Sequence, residues 1–235
     1  MPGPGVQGVS VSRVGYTAVN SGGHLRRFIR RNSDLSLALA LIGVAVYAGC
    51  NVFPQVRFDR ERIEVWVAPQ QIQVSGLYRY RNPFAVPAFL SLVLPFPVDP
   101  EHPRPSMYSI ATATKDGTIV DYLHPTERHG EVHFRVNLLP HEEKWLRVDY
   151  VQGTSVPRGT YILMTTRKWR HPLVRGDYFL HLAPGVELAS TNYRFDVALV
   201  GDTNVYSFAK TDFYPNEDWE FSWREITPSA PAGSE

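Results

Sequence analysis

The eight histidines are the first residues of this 235-residue chain to consider for chemistry, because imidazole nitrogen is a common metal ligand. His129 and His133 fall at a predicted turn and on a predicted strand, where four residues span about 13 Å. That distance is too long for a chelate, and no cysteine follows Cys50 to complete a zinc site. The acidic residues at 216–218 and Glu220 lack the spaced ligands of a calcium loop. We therefore predict no metal site and no cofactor.

Motifs for covalent catalysis and nucleotide binding are absent, since the chain contains no G-x-S-x-G, no P-loop and no H-E-x-x-H. We therefore expect a protein that is not an enzyme. The alternative is an enzyme whose polar groups come together only in the folded chain. A deep pocket lined by several of five residues would favour that alternative: His102, His124, His133, Glu142 and Asp177.

A cluster of cations around one tryptophan lies between two predicted strands. Arginine and tryptophan carry much of the binding energy at protein interfaces, and clustered cations also bind anionic lipid headgroups. The predicted partner-binding residues are Arg167, Lys168, Trp169, Arg170, His171 and Arg175. The alternative is that Trp169 packs in the core and that the cations are simply solvated. The proline-rich segment 95–105 is a second candidate contact, as a stiff extended arm.

An uncharged stretch over residues 35–56 is long enough to cross a membrane. As a helix, its 22 residues would reach about 33 Å, against a hydrocarbon core of ~30 Å. Arginines precede the stretch, and Pro54 lies near its end, where it would stop a helix. We therefore predict a transmembrane helix over residues 34–54. The anchoring residues are predicted to be Leu35, Leu37, Leu39, Leu41, Ile42, Val44, Val46 and Tyr47.

Two other interpretations of this stretch stay open. Small residues precede Cys50, the only cysteine of the chain, as in a lipoprotein signal whose cysteine is lipidated after cleavage. Tyr47, however, stands where such a signal usually has a leucine-like residue. A buried helix of a soluble protein would also be apolar.

Arginines next to the stretch determine the predicted orientation. Four arginines lie directly before it, whereas the residues from Asn51 to Val56 are uncharged. Positive residues are retained in the cytoplasm, so the N-terminus is predicted to be cytoplasmic. We expect a disordered tail over residues 1–33, an extracytoplasmic domain over residues 55–226 and a second disordered tail over residues 227–235.

Composition favours a bacterial inner-membrane protein with a periplasmic domain. A formal charge of +1 gives no field that would attract nucleic acid. The single cysteine excludes an intrachain disulfide, and the chain has no Asn-x-Ser/Thr sequon. Secreted eukaryotic domains often carry one or the other.

Apolar residues recur with a period of two along the predicted domain, which indicates half-buried strands. The clearest segments are 132–138, 146–150, 193–199 and 219–223, and an Asp-Gly pair at 116–117 predicts a hairpin turn. Further strands are predicted at 63–67, 72–80, 88–94, 107–114, 161–166 and 178–182. About ten short strands predict a mainly β fold, an antiparallel β-sandwich, with a closed barrel as the alternative.

Three segments resemble a set of uncharacterised bacterial membrane-anchored β-sandwich proteins. They are TYILMTTRKWRHPLVRGDYFLHLAPG, VLPFPVD before it and DFYPNEDWEFSW after it. The resemblance covers residues 72–225 and implies a β-sandwich in the cell envelope, without a known activity or catalytic residues.

These observations predict a non-catalytic, membrane-anchored envelope protein. We expect an accessory or stabilising subunit that docks on integral membrane subunits of a larger complex, such as a respiratory or photosynthetic one. An extracytoplasmic ligand-binding or sensory module is an alternative, beside the enzyme considered above.

Overall fold

The computed structural model describes residues 56–200 and 203–226. These residues form fourteen strands and one 3₁₀ helix, Met164–Trp169. The strands are β1 (Arg57–Ala68), β2 (Gln71–Arg81), β3 (Ala88–Leu94), β4 (Met107–Ala113), β5 (Ile119–Tyr122), β6 (Thr126–Arg128), β7 (Glu131–Leu138), β8 (Glu143–Gly153), β9 (Arg158–Tyr161), β10 (Leu173–Leu182), β11 (Val186–Thr191), β12 (Asp196–Val200), β13 (Thr203–Phe213) and β14 (Trp219–Glu225). The prediction of a mainly β fold is confirmed.

The strands form one large sheet and two small ones. The large sheet has eight strands in the order β12-β13-β10-β1-β2-β8-β4-β5. One small sheet has the order β3-β7-β6 and the other β11-β14-β9. Neighbouring strands are antiparallel except β1 and β10, which run parallel in the middle of the large sheet. The predicted antiparallel arrangement therefore has one exception.

Alternation along the central strands gives the large sheet one apolar and one polar face. On β1, Ile63, Val65 and Val67 are buried, whereas Arg62 before them and Trp66 between the last two are exposed. Side chains from both small sheets, such as Val136 and Trp219, belong to the same core cluster as these residues. The two small sheets therefore cover the apolar face of the large one, and burial of that face drives their association.

Most of the strands predicted from alternation are confirmed. Residues 88–94 form β3, and the Asp-Gly pair turns between β4 and β5 with Gly117 at φ 91°. The strand predicted at 161–166 is wrong, because β9 ends at Tyr161 and the 3₁₀ helix begins at Met164. Asp218 Oδ1 accepts hydrogen bonds from the backbone N–H groups of Leu163 and Met164, both at 2.8 Å. These bonds favour a helical start over a strand.

Several predictions fall on residues outside the described part. They are the membrane helix over residues 34–54 and the two tails. In the part of the chain that the structure describes, no helix is long and apolar enough to span a bilayer.

Candidate functional site

A cleft of about 890 Å³ lies on the apolar face of the large sheet. One wall is β3 with the segment after it, and the other is Tyr161 of β9 with the 3₁₀ helix. β3 and β9 are edge strands of the two small sheets, so the cleft lies where the small sheets do not meet. Its floor belongs to β1, β2 and β8: Phe58, Glu61, Tyr78, Tyr80, Leu146, Val148 and Tyr150.

A β-bulge in β1 brings two floor residues to the same face. Phe58 pairs with Tyr80 and Glu61 pairs with Tyr78, with a register shift between Phe58 and Arg60. Residues three apart point to opposite faces of a regular strand. The extra residue in the bulge places Glu61 on the same face as Phe58. Bulges near functional sites often redirect a side chain in this way.

The Glu61 carboxyl group is the polar centre of this floor. The side chain is buried, with only 4% of the residue exposed, and its Oε1 atom accepts a hydrogen bond of 2.5 Å from the hydroxyl group of Tyr178 on β10. Burial in apolar surroundings raises the pKa of Glu61 to about 7, although the bond from Tyr178 partly opposes this shift. Near neutral pH, the carboxyl group can therefore gain or lose a proton.

Two glycines make room for the tyrosine rings beside Glu61. A Cβ atom on Gly176 would come within 2.5 Å of the Tyr178 hydroxyl oxygen, and one on Gly76 would overlap the ring of Tyr78. Each ring therefore lies back over the glycine two residues before it. The Tyr78 hydroxyl group shares a hydrogen bond of 2.8 Å with that of Tyr161, which joins the large sheet to β9.

Asp59 is a buried carboxylate on the same strand with a different environment. Its Oδ1 atom accepts a 2.7 Å hydrogen bond from Nε of Arg79, and its Oδ2 atom lies 2.8 Å from Nε of Arg81. For Glu61, no ion pair occurs among the described residues. Asp59 is thus compensated within the chain, and Glu61 is bonded only to a neutral hydroxyl group.

The predicted partner-binding residues lie along one side of the cleft, although they do not all face it. Trp169 is half-buried against Phe58 and Tyr80, with ring centroids 5.8 and 5.4 Å apart. Lys168 and Trp169 line the cleft. The Trp169 ring therefore packs on the floor and still borders open space, and the partner-binding role of this group stays a prediction.

The remaining residues of that group point elsewhere. Arg167 and Arg170 are exposed, and the guanidinium group of Arg167 lies 5.0 Å from the ring centre of Tyr214. Arg175 forms an ion pair with Asp177 at 2.7 Å. His171 Nδ1 lies 3.1 Å from the backbone oxygen of Pro172.

The proline-rich segment 95–105 is fastened to the domain rather than projecting as an arm. The buried amide of Gln152 donates to the carbonyl oxygens of Pro97 and Pro103 at 2.9 and 3.0 Å. His102 Nε2 donates to the carbonyl oxygen of Arg158 at 2.8 Å. Pro95, Phe96, Pro97 and Val98 then border the cleft.

One trio of metal-type ligands lies together among the described residues, Asp99, Glu101 and His102. His102 Nδ1 lies 2.8 Å from Asp99, its other nitrogen is used as described above, and Glu101 pairs with Arg158. These contacts hold the loop and account for the trio. Ser207 and Lys210 have S-x-x-K spacing, but they lie on β13, where residues three apart point to opposite faces.

None of the five residues proposed for an assembled active site lines the cleft. Glu61 was not among the predicted site residues, because its strand was predicted to begin at Ile63, after the charged run RFDRER. A signal was present, since Glu61 is in phase with Ile63, Val65 and Val67. Extending that alternation backwards would have placed the carboxyl group on the apolar face.

Comparison with known proteins gives similarity of fold and no family. No family model matches the sequence, and no curated protein matches it. A solved Legionella pneumophila structure named as a "putative nutrient binding protein" is similar with TM-score 0.55 and 13% identity, over 72% of this chain and 67% of that one.

Zinc peptidases are more distant structural neighbours. An M1 zinc metallopeptidase from Deinococcus radiodurans has TM-score 0.40 and 12% identity, and the match covers 72% of this chain. The match spans only 42% of the peptidase. The 13% identity with the Legionella pneumophila structure supports a similarity of fold alone.

Proposed function

We propose that this chain is a membrane-anchored, non-catalytic binding module, located outside the cytoplasm, whose cleft holds an apolar small molecule. The observation that carries the proposal is the cleft of about 890 Å³. Ligand sites are typically apolar clefts of about 300–1,000 Å³ with a few convergent polar groups. Here the aromatic floor is the apolar part, and Glu61 is the polar group.

The unpaired edge of β3 supports a site in this position. The cleft is lined by every residue from Phe89 to Val98, rather than by alternate ones. The cleft therefore borders both the free edge of β3 and one face of that strand. A free strand edge leaves backbone N–H and C=O groups available to a bound molecule.

A calorimetric titration of the full chain in lipid nanodiscs tests the proposal, with 4-phenylbutanol as a neutral apolar probe. Leu90→Trp places a large side chain in the cleft and should abolish binding. Leu199→Trp is the matched control, because Leu199 is 71% exposed and lies outside the cleft, so its replacement should leave binding intact. Absence of saturable binding to the unchanged protein, or equal binding by both variants, would contradict the proposal.

A second candidate function is the accessory subunit predicted from the sequence. The observation that favours it is the exposure of Arg167, Lys168 and Arg170 on and beside the 3₁₀ helix, since exposed arginine next to an aromatic ring is typical of interfaces. Gentle detergent extraction followed by size analysis tests it. A stable complex would support docking on larger membrane subunits, whereas a lone monomer would count against it.

A further inference from the structure

The two buried carboxyl groups of β1 differ in what compensates them. Asp59 and Glu61 are 1% and 4% exposed, so ionisation of either group is costly unless a positive charge in the interior compensates it. Arg79 and Arg81 compensate Asp59. The only hydrogen bond to Glu61 from the described residues comes from Tyr178 to Oε1, which leaves Oε2 without a donor.

The surroundings of Glu61 contain aromatic rings and no cation on the packed strands. The titratable groups near it are Tyr78 and Tyr80 on β2, Tyr161 on β9 and Tyr178 on β10. Burial raises the pKa of each of these hydroxyl groups, so all four stay neutral. In the part of the chain that the structure describes, an ionised Glu61 therefore has no positive charge beside it.

The other charged groups of the cleft are occupied or lie at its exposed edge. Arg104 pairs with Glu127 at 3.3 Å, and Glu131 lies 3.2 Å from His133. Lys168 is exposed. Among the described residues, no cation is therefore placed to balance an ionised Glu61, which leaves that position open to a positive charge on a bound molecule.

We propose that the ligand of this cleft is an organic cation, an amine with an apolar body whose ammonium group lies against Glu61. The inference rests on the proposed function and names its ligand class. An ammonium group donates to Oε2, the position that the protein leaves open. The rings of Tyr78, Tyr80 and Trp169 line the same cleft, and aromatic faces attract organic cations.

Matched probes on the full chain in nanodiscs test this ligand class by calorimetry: 4-phenylbutylamine, 4-phenylbutanol and 4-phenylbutyric acid. The three share one apolar body and differ in the charge of the head. At pH 8 we expect the amine to bind at least tenfold more tightly than the alcohol, and the acid to bind most weakly. At pH 5.5 only about 3% of a carboxyl group with a pKa of about 7 is ionised, so affinity for the amine should fall by about 30-fold.

Glu61→Gln should remove the preference for the amine and its pH dependence, since the amide keeps the shape without the charge. Glu64→Gln is the matched control, because Glu64 lies on the opposite face of the same strand, pairs with Arg62 and does not line the cleft. It should leave both properties unchanged.

The possible outcomes separate this inference from the function on which it rests. Equal binding of amine and alcohol at pH 8, or a preference for the acid, would overturn the organic cation while an apolar site still stood. A preference for the amine that survives in Glu61→Gln would also overturn it, because the charge would then act from elsewhere. Failure of all three probes to bind would overturn both proposals.

Discussion

Replacement of Glu61 by glutamine should stabilise the domain, and the gain should grow as the pH rises. Folding raises the pKa of this carboxyl group from 4.5 to about 7. The folded state therefore binds the proton more tightly than the unfolded state, and stability falls between these two values as the pH increases. A shift of this size corresponds to roughly 3 kcal/mol, since one pKa unit is worth about 1.4 kcal/mol.

Denaturant unfolding of the full chain in detergent, followed by tryptophan fluorescence, measures this difference. Glu61→Gln cannot ionise, so its free energy of unfolding should exceed that of the unchanged protein by about 3 kcal/mol at pH 8 and by less than about 1 kcal/mol at pH 5. Groups such as Glu64, whose pKa is lowered by a hydrogen bond with His181, act with the opposite sign. Their contributions cancel, because Glu61→Gln and the unchanged protein are compared at the same pH.

Asp59→Asn provides the contrast on the same strand. Loss of this carboxylate leaves Arg79 and Arg81 without their shared partner, so the variant should lose roughly 3 kcal/mol at neutral pH. The reasoning is refuted if the gain of Glu61→Gln is the same at pH 5 and pH 8, or if it increases towards acid.

Three further variants test the supports of the cleft. Gly176→Ala should destabilise the domain by about 1–3 kcal/mol in thermal or denaturant unfolding, because the new methyl group displaces the Tyr178 ring, which bonds to Glu61. An unchanged stability would show that the ring can move aside without loss. Asp218→Ala removes the acceptor of two backbone N–H groups and should cost about 1–2 kcal/mol, with faster hydrogen exchange at those amides as the decisive measurement. Alanine at Arg167, Lys168 and Arg170 together should change the free energy of unfolding by less than about 0.5 kcal/mol, yet weaken any association with membrane subunits in a pull-down at low salt. An intact association would remove these cations from the interface.

Alternation predicted the strands whose one face is apolar, such as β7 and β14, because a half-buried strand exposes every second side chain. It failed where polar residues occupy the buried face. Phe58, Asp59 and Glu61 lie in a charged run that looks solvated, and the bulge within it shifts the period. Neither the ion pairs of Asp59 nor the isolation of Glu61 follows from local sequence, since the partners come from β2 and β10.

The cleft itself was beyond prediction from periodicity. It exists because two small sheets cover the large sheet without joining, and their separation depends on contacts between residues distant in sequence. Trp169 illustrates the limit, because its neighbouring cations indicate a surface while its ring packs on Phe58 and Tyr80. The residue types in a segment indicate that it lies near a surface, but they do not show which wall of a cleft the segment forms.

The parallel pairing of β1 with β10 sets the order in which the protein can fold. Strands β1, β2, β4, β5 and β8 can pair as soon as they leave the ribosome or translocon, but β1 keeps one open edge until β10 arrives. The Glu61–Tyr178 bond joins residues 117 apart in sequence, and such distant closures slow folding. A chain halted before residue 173 would thus lack the hydrogen bond to Glu61 and present a bare strand edge, and unpaired strand edges make incomplete domains prone to aggregation. Completion of the cleft floor and closure of the central strand edge therefore depend on the same late step.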